Sequence, residues 1–209
     1  MSAWKSIAGD PSETCRVTPP VRAYLSLGTN LGDRLANLAQ AVRALTDSRD
    51  MEVVHVSPVY ETAPLGPAGA VVADEPAYLN GAVLIETRLS AQALREQTSR
   101  IEHAMGRREH GRWESRVIDI DLVLYGEQRI ATAELTVPHA SMLERAFVLR
   151  PLVDLDPDLS VAGVGTLANL LEGLSWQGCV LYATAEAFRA EIGAAPAVPP
   201  SSRLRGPSP

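Results

Sequence analysis

Lysine is almost missing from this chain. Lys5 is the only one, and the other 18 of the 19 basic residues are arginine. A Walker A loop needs a lysine beside its glycine-rich turn, and a protein kinase needs one on a strand, so both classes are excluded. Schiff-base chemistry has no candidate outside the N-terminal segment. Any phosphate chemistry here falls to arginine, whose planar fork grips phosphate oxygens in pairs. Aromatic residues are also scarce, at 5%, and the net charge is −6 with a pI near 5.3. Both argue against a nucleic-acid partner, whether held by base stacking or by a basic field. Cysteine occurs only twice, at Cys15 and Cys179, in no CxxC pattern. Two free thiols in a reducing compartment are expected. No apolar run has membrane-spanning length, so no membrane partner is expected. The opening residues lack a signal-peptide layout, and the expected location is the cytoplasm.

What remains is ordinary globular material, 46% hydrophobic and 21% charged in 209 residues, enough for one domain with a full core. Residues 1–21 read as a disordered arm, 22–185 as the domain, and the Pro/Ser-rich 186–209 as a disordered tail. "RAYLSLG" (22–28) alternates as a first strand, and the leucines from Leu31 to Leu45 recur at helical spacing. "MEVVHVSPVY" (51–60) predicts a second strand, with Pro58 marking an edge or an ending. "AYLNGAVLIETR" (77–88) predicts a third. Ser90 caps a helix whose Leu94, Thr98, Ile101 and Met105 share a face. The chain then enters a strand around residues 117–125. This β-α-β-β-α-β order predicts an α+β, ferredoxin-like sandwich with an antiparallel sheet. Beyond it, helices are expected over 143–155 and 166–174 and an extra strand over 178–183. Two long loops, 61–76 and 106–115, carry more residues than a compact connection needs, which marks them as functional.

The last strand of that order holds Asp119 and Asp121 among Val117, Ile118, Ile120, Leu122, Val123 and Leu124. Residues two apart on a strand face the same side, so the carboxylates project together, with Ile118, Ile120, Leu122 and Leu124 expected on the other face. Like charges this close repel, and burial raises the cost. A divalent cation, nearby arginines, or protonation of one acid could each offset it. A pure oxygen donor set would select a hard cation, Mg²⁺ first, completed by substrate phosphates. Arg107, Arg108, Arg112 and Arg116 lie just upstream, along with Trp113, whose indole could pack on a planar ligand. Spacing alone leaves metal binding and arginine pairing open.

"LSLGTNLGDRLANLAQAV", "SPVYETAPLG", "PAYLNGAVLIET", "IEHAMGR", "RWESRVIDIDLVLYG" and "LTVPHASMLERAFVLRPL" together resemble the 6-hydroxymethyl-7,8-dihydropterin pyrophosphokinases, from about residue 22 to 160. The resemblance implies an enzyme that moves pyrophosphate from ATP to the pterin hydroxymethyl group in folate biosynthesis. It implies two Mg²⁺ ions on Asp119 and Asp121, with Arg107 and Arg116 reaching the phosphates. By the same resemblance Glu102, His139 and Arg145 belong to the ATP site. Tyr78 and Phe147 would sandwich the pterin, Asn80 would bond its edge, Thr62 and Leu65 would add backbone contacts, and Trp113 would cover the ring. Small-molecule substrates and a monomer are expected. Gly28 and Asn30 are expected to shape the strand-to-helix turn. The chain departs from the family's pattern at Glu114-Ser115, where Gly-Pro is usual, at Ala63 and Ala140, and in a longer 66–76 loop. An active enzyme with altered loop kinetics is expected.

Overall fold

A computed structural model describes residues 16–64, 75–107, 115–174 and 179–194. Its elements run β1 (Arg16–Thr29), α1 (Arg34–Thr46), β2 (Met51–Val56), β3 (Val59–Thr62), β4 (Tyr78–Leu89), α2 (Ala91–Ala104) and β5 (Asp119–Tyr125). Short strands β6 (Ile130–Ala131) and β7 (Thr136–Val137) form a small hairpin, and a 3₁₀ turn leads into α3 (Ala146–Leu155). A second hairpin, β8 (Ser160–Val161) and β9 (Gly165–Thr166), precedes α4 (Leu167–Glu172), β10 (Cys179–Ala183) and α5 (Ala185–Gly193). The main sheet is antiparallel in the order β10-β3-β4-β1-β5, with β2 also paired to β4. This is the expected ferredoxin-like arrangement with extra C-terminal elements. Two boundaries differ from expectation. β1 begins at Arg16, inside the stretch expected to be an arm, and α5 takes up the first part of the expected tail.

Local chemistry starts and ends these elements. Asp33 caps α1 by accepting from the Ala36 N–H at 3.1 Å, and Ser90 caps α2 by accepting from Ala93 at 3.3 Å. Each cap satisfies one of the donors a helix start leaves unpaired. The expected second strand is two, because Ser57-Pro58 interrupts it. Ser57 N–H donates to the Ala82 carbonyl at 2.9 Å, and its Oγ accepts from Ala82 N–H at 2.8 Å. A side-chain oxygen thus stands in for a ladder carbonyl beside a proline that has no N–H to give. The bend displaces β3, whose outer edge receives β10.

Helices cover both faces of the sheet. On one face Leu25, Leu27, Val83, Ile85, Ile120 and Leu122 are buried with Leu38, Val42 and Leu45 of α1 and Leu94 and Ile101 of α2. On the other, Tyr24, Ala82, Leu84, Val123 and Leu124 are buried with Val148, Leu149 and Leu152 of α3. Leu124 therefore does not lie with Ile118, Ile120 and Leu122 as its spacing predicts. The β1–β5 register jumps from Leu25↔Leu122 to Tyr24↔Leu124, leaving Val123 as an extra residue. Such a bulge reverses the facing of everything beyond it.

Candidate active site

Strand register assembles the site. Gly28 of β1 lies opposite Asn80 of β4 on one side and Asp119 of β5 on the other, and Ser26 lies opposite Asp121. Thr62 of β3 lies opposite Tyr78, and Tyr60 opposite Asn80. Directly opposed residues project to one face, so Thr62, Tyr78, Asn80, Asp119 and Asp121 share the face that α3 partly covers. Gly28 sits inside the strand rather than in the turn expected of it. A Cβ there would stand 3.6 Å from Asn80 Oδ1 and 3.8 Å from Asp119 Cβ, so its absence leaves a shallow floor between the two polar groups. Phe147 lies in the first turn of α3, with the Arg145 guanidinium 5.8 Å from its ring centroid.

The carboxylates are not equivalent. Asp119 takes the Arg107 guanidinium on Oδ1 at 2.6 Å and that of Arg116 on Oδ2 at 2.8 Å. Arg107 also pairs with Glu102, whose Oε1 accepts from the Ile120 N–H at 2.7 Å. Among the described residues, no hydrogen bond or ion pair reaches Asp121. Its pKa is pushed up, first by burial and then by the Asp119 charge, with His139 and the two arginines acting against the rise. Burial likewise lifts Glu102 to about 7, against the pull of the Ile120 N–H and Arg107. Tyr78 is also raised, by burial first. The Arg116 charge pulls it down, and Glu75 and Asp119 push it up. Among the described residues, the arginine pairing left open by the spacing is therefore realised for Asp119 and not for Asp121.

Asp121 keeps its acceptor capacity and faces a like charge, the condition a hard dication relieves. Among the described residues no three His, Cys, Asp or Glu side chains converge. Two carboxylates completed by substrate phosphates and water would suit Mg²⁺ better than an all-protein cage would. The residues present fit that ion.

Other expected partners meet as well. Asn80 Nδ2 donates to Thr62 Oγ1 at 2.8 Å, both residues being buried. His139 lies near enough to Asp121 to stabilise its charge, and its N–H donates to the Val123 carbonyl at 3.0 Å. Leu65 and Trp113 lie outside the described residues, as do Arg108, Arg112 and Glu114. Asn30 has a larger part than its expected turn role. Its side chain accepts from Arg116 N–H at 2.7 Å and donates to Ser115 Oγ at 2.8 Å, and its own N–H donates to the Arg116 carbonyl at 3.1 Å. It ties the approach of Arg116 to the end of β1.

Residues 24–157 match the family described as 7,8-dihydro-6-hydroxymethylpterin-pyrophosphokinase (HPPK). The chain belongs to that family. It is thus a pyrophosphokinase, a transferase that uses ATP. A 2-amino-4-hydroxy-6-hydroxymethyldihydropteridine pyrophosphokinase from Methylorubrum extorquens is 43% identical over 68% of this chain and 87% of its own length. One of the same description from Pseudomonas aeruginosa is 38% identical over 75% of this chain and 94% of its own. The fold also matches a solved Plasmodium falciparum HPPK-DHPS, with a TM-score of 0.59 at 15% identity. That likeness covers 74% of this chain and 43% of the other. Among the described residues, no helix is long and apolar enough to cross a membrane.

Proposed function

We propose that this pyrophosphokinase transfers the terminal pyrophosphate of ATP to the hydroxymethyl oxygen of 6-hydroxymethyl-7,8-dihydropterin, releasing AMP, as a step toward folate. One observation carries the assignment. The register about Gly28 puts a buried amide–hydroxyl pair, Asn80 and Thr62, on one side and a carboxylate pair on the other. A flat, polar-edged ring and a metal–polyphosphate would then meet over one strand. Thr62, Tyr78, Asn80 and Phe147 bind and orient the ring, by polar contacts at its edge and aromatic contact on its faces. Glu102, His139 and Arg145 flank the nucleotide.

The pterin oxygen forms a bond to the β-phosphorus as the bond from that phosphorus to the α-phosphate oxygen breaks; AMP leaves with that oxygen, and the hydroxyl proton passes to solvent. Asp119 and Asp121 would hold Mg²⁺, two ions in all, which supply charge neutralisation to the phosphates. Arg107 and Arg116 rest on Asp119 and would reach phosphates bound beside it. There their fixed forks complement charge that spreads over the transferring oxygens. Positioning and charge do the work, and no residue is assigned as base. The family match and the relatives' names support this reading, as does Asp121, which no hydrogen bond or ion pair reaches among the described residues. A cytoplasmic monomer with a single folded domain is the matching proposal for the whole chain. In purified protein, Asp119→Ala and Asp121→Ala should each abolish AMP formation with the circular dichroism spectrum unchanged. Activity retained in both would sink the assignment.

A further inference from the structure

The family match ends at residue 157, and β10 and α5 lie beyond it. β10 runs antiparallel to β3, with Cys179 opposite Thr62 and Val180 opposite Glu61. Tyr182 on this strand is about half exposed, an unusual place for a large ring, and the Arg34 guanidinium lies 5.7 Å from its centroid. Arg34 is the first residue of α1. One of its terminal nitrogens donates to the Ala77 carbonyl at 2.8 Å, and the other pairs with Glu61 Oε1 at 2.7 Å. Glu61 immediately precedes Thr62, and Ala77 immediately precedes Tyr78, and Thr62 and Tyr78 oppose each other across β3 and β4. A single guanidinium thus joins the end of β3, the start of β4 and the added strand.

We infer that Arg34 and Tyr182 form a clamp that positions the β3–β4 end carrying Thr62, Tyr78 and Asn80, so that the C-terminal β10 sets affinity for the heterocyclic substrate. The inference rests on the proposed assignment of those three residues to the pterin. A partly exposed ion pair alone holds geometry poorly, because water competes for both partners. A ring against the guanidinium keeps water from one side and adds a cation–π attraction. The fork geometry of arginine lets one group serve two acceptors at once, which a lysine could not do in the same way. The Asn80–Thr62 bond spans the clamped pair of strands, so slippage there would disturb the polar edge offered to the ring. Arg34 and Tyr182 are positioning residues, and neither is assigned a contact with substrate.

Steady-state kinetics of the full chain with Arg34→Met, Tyr182→Ala and Tyr182→Phe, alongside amide hydrogen exchange of the free proteins, test the clamp. Arg34→Met and Tyr182→Ala should raise the pterin KM roughly threefold to tenfold, the size of a lost cation–π contact. They should leave kcat and the ATP KM within about twofold, because the phosphate side of the site is untouched. Exchange at residues 78–80 should quicken in both variants. Tyr182→Phe, which keeps the ring, should restore both readouts. An unchanged pterin KM with unchanged exchange in both variants overturns the clamp, as does a joint loss of kcat and both affinities. Should the wild-type chain turn over no pterin, the proposed function fails, and the exchange comparison still decides the clamp.

Discussion

Replacing Asp121 by asparagine should stabilise the metal-free protein while destroying its activity. The two carboxylates stand two residues apart on β5, about 7 Å at Cα from the strand rise. At an effective dielectric near 20, two unit charges at that distance repel by about 2.4 kcal/mol. Arg107 and Arg116 sit on Asp119 and cancel much of that field, while burial of the Asp121 charge adds the larger penalty; we take about 1 kcal/mol as the net, under half of the bare repulsion. Asparagine removes the charge at nearly constant volume, and no hydrogen bond or ion pair among the described residues is lost with it. For a fold of this size the melting point should rise by roughly 2–4 °C in chelator-treated buffer. Asp119→Asn should do the opposite, since it strips two guanidiniums of their acceptor. Mg²⁺ reverses the ranking. At tenfold over its dissociation constant, a bound ion adds about 1.4 kcal/mol to the wild type, and Asp121→Asn should gain almost none of it. Thermal melts followed by circular dichroism, with and without Mg²⁺, give all four comparisons. A metal-free Asp121→Asn that melts below the wild type would refute the electrostatic reasoning. Equal Mg²⁺ shifts in both proteins would refute the metal assignment.

Asn30→Ala should cost about 1–3 kcal/mol in denaturant unfolding, since it removes a buried group that bonds both Arg116 N–H and Ser115 Oγ. It should also lower kcat more than it raises the pterin KM, because Arg116 loses its anchor; an unaltered kcat would count against that placement. Glu102 makes metal-free stability depend on pH. Its pKa of about 7 in the fold exceeds the ordinary 4.5, so the native state binds the extra proton between those values. Stability should therefore fall as pH rises through that window, by about 3 kcal/mol in all. Glu102→Gln should flatten the profile in urea titrations across the window, and an identical slope in both proteins would contradict the burial argument.

The chain announces its own chemistry in several places. The near absence of lysine leaves arginine to meet any phosphate, and strand alternation puts Asp119 and Asp121 on one side. Ser90 and the Leu94–Ile101 spacing announced α2 with its cap. These features are legible because each depends only on residues within a turn or two of one another. The motifs at Asn80 and Asp119 likewise carry the family resemblance in the sequence itself.

Tertiary pairing decided the rest. Which residue lies opposite Gly28 depends on registers between strands far apart in the chain, and no local spacing encodes it. The Val123 bulge turned Leu124 to the α3 face, and Ser57 broke one expected strand into two; both are responses to a partner strand. Asn30 reaches Arg116 across 86 positions, so its role could not be read from its neighbours. The sequence by itself determined that two carboxylates would share a face near a run of arginines. Only the fold decided that Arg107 and Arg116 would make their ion pairs with Asp119, and that among the described residues none would reach Asp121, because charge pairing is a matter of distance in space and periodicity reports only distance along the chain.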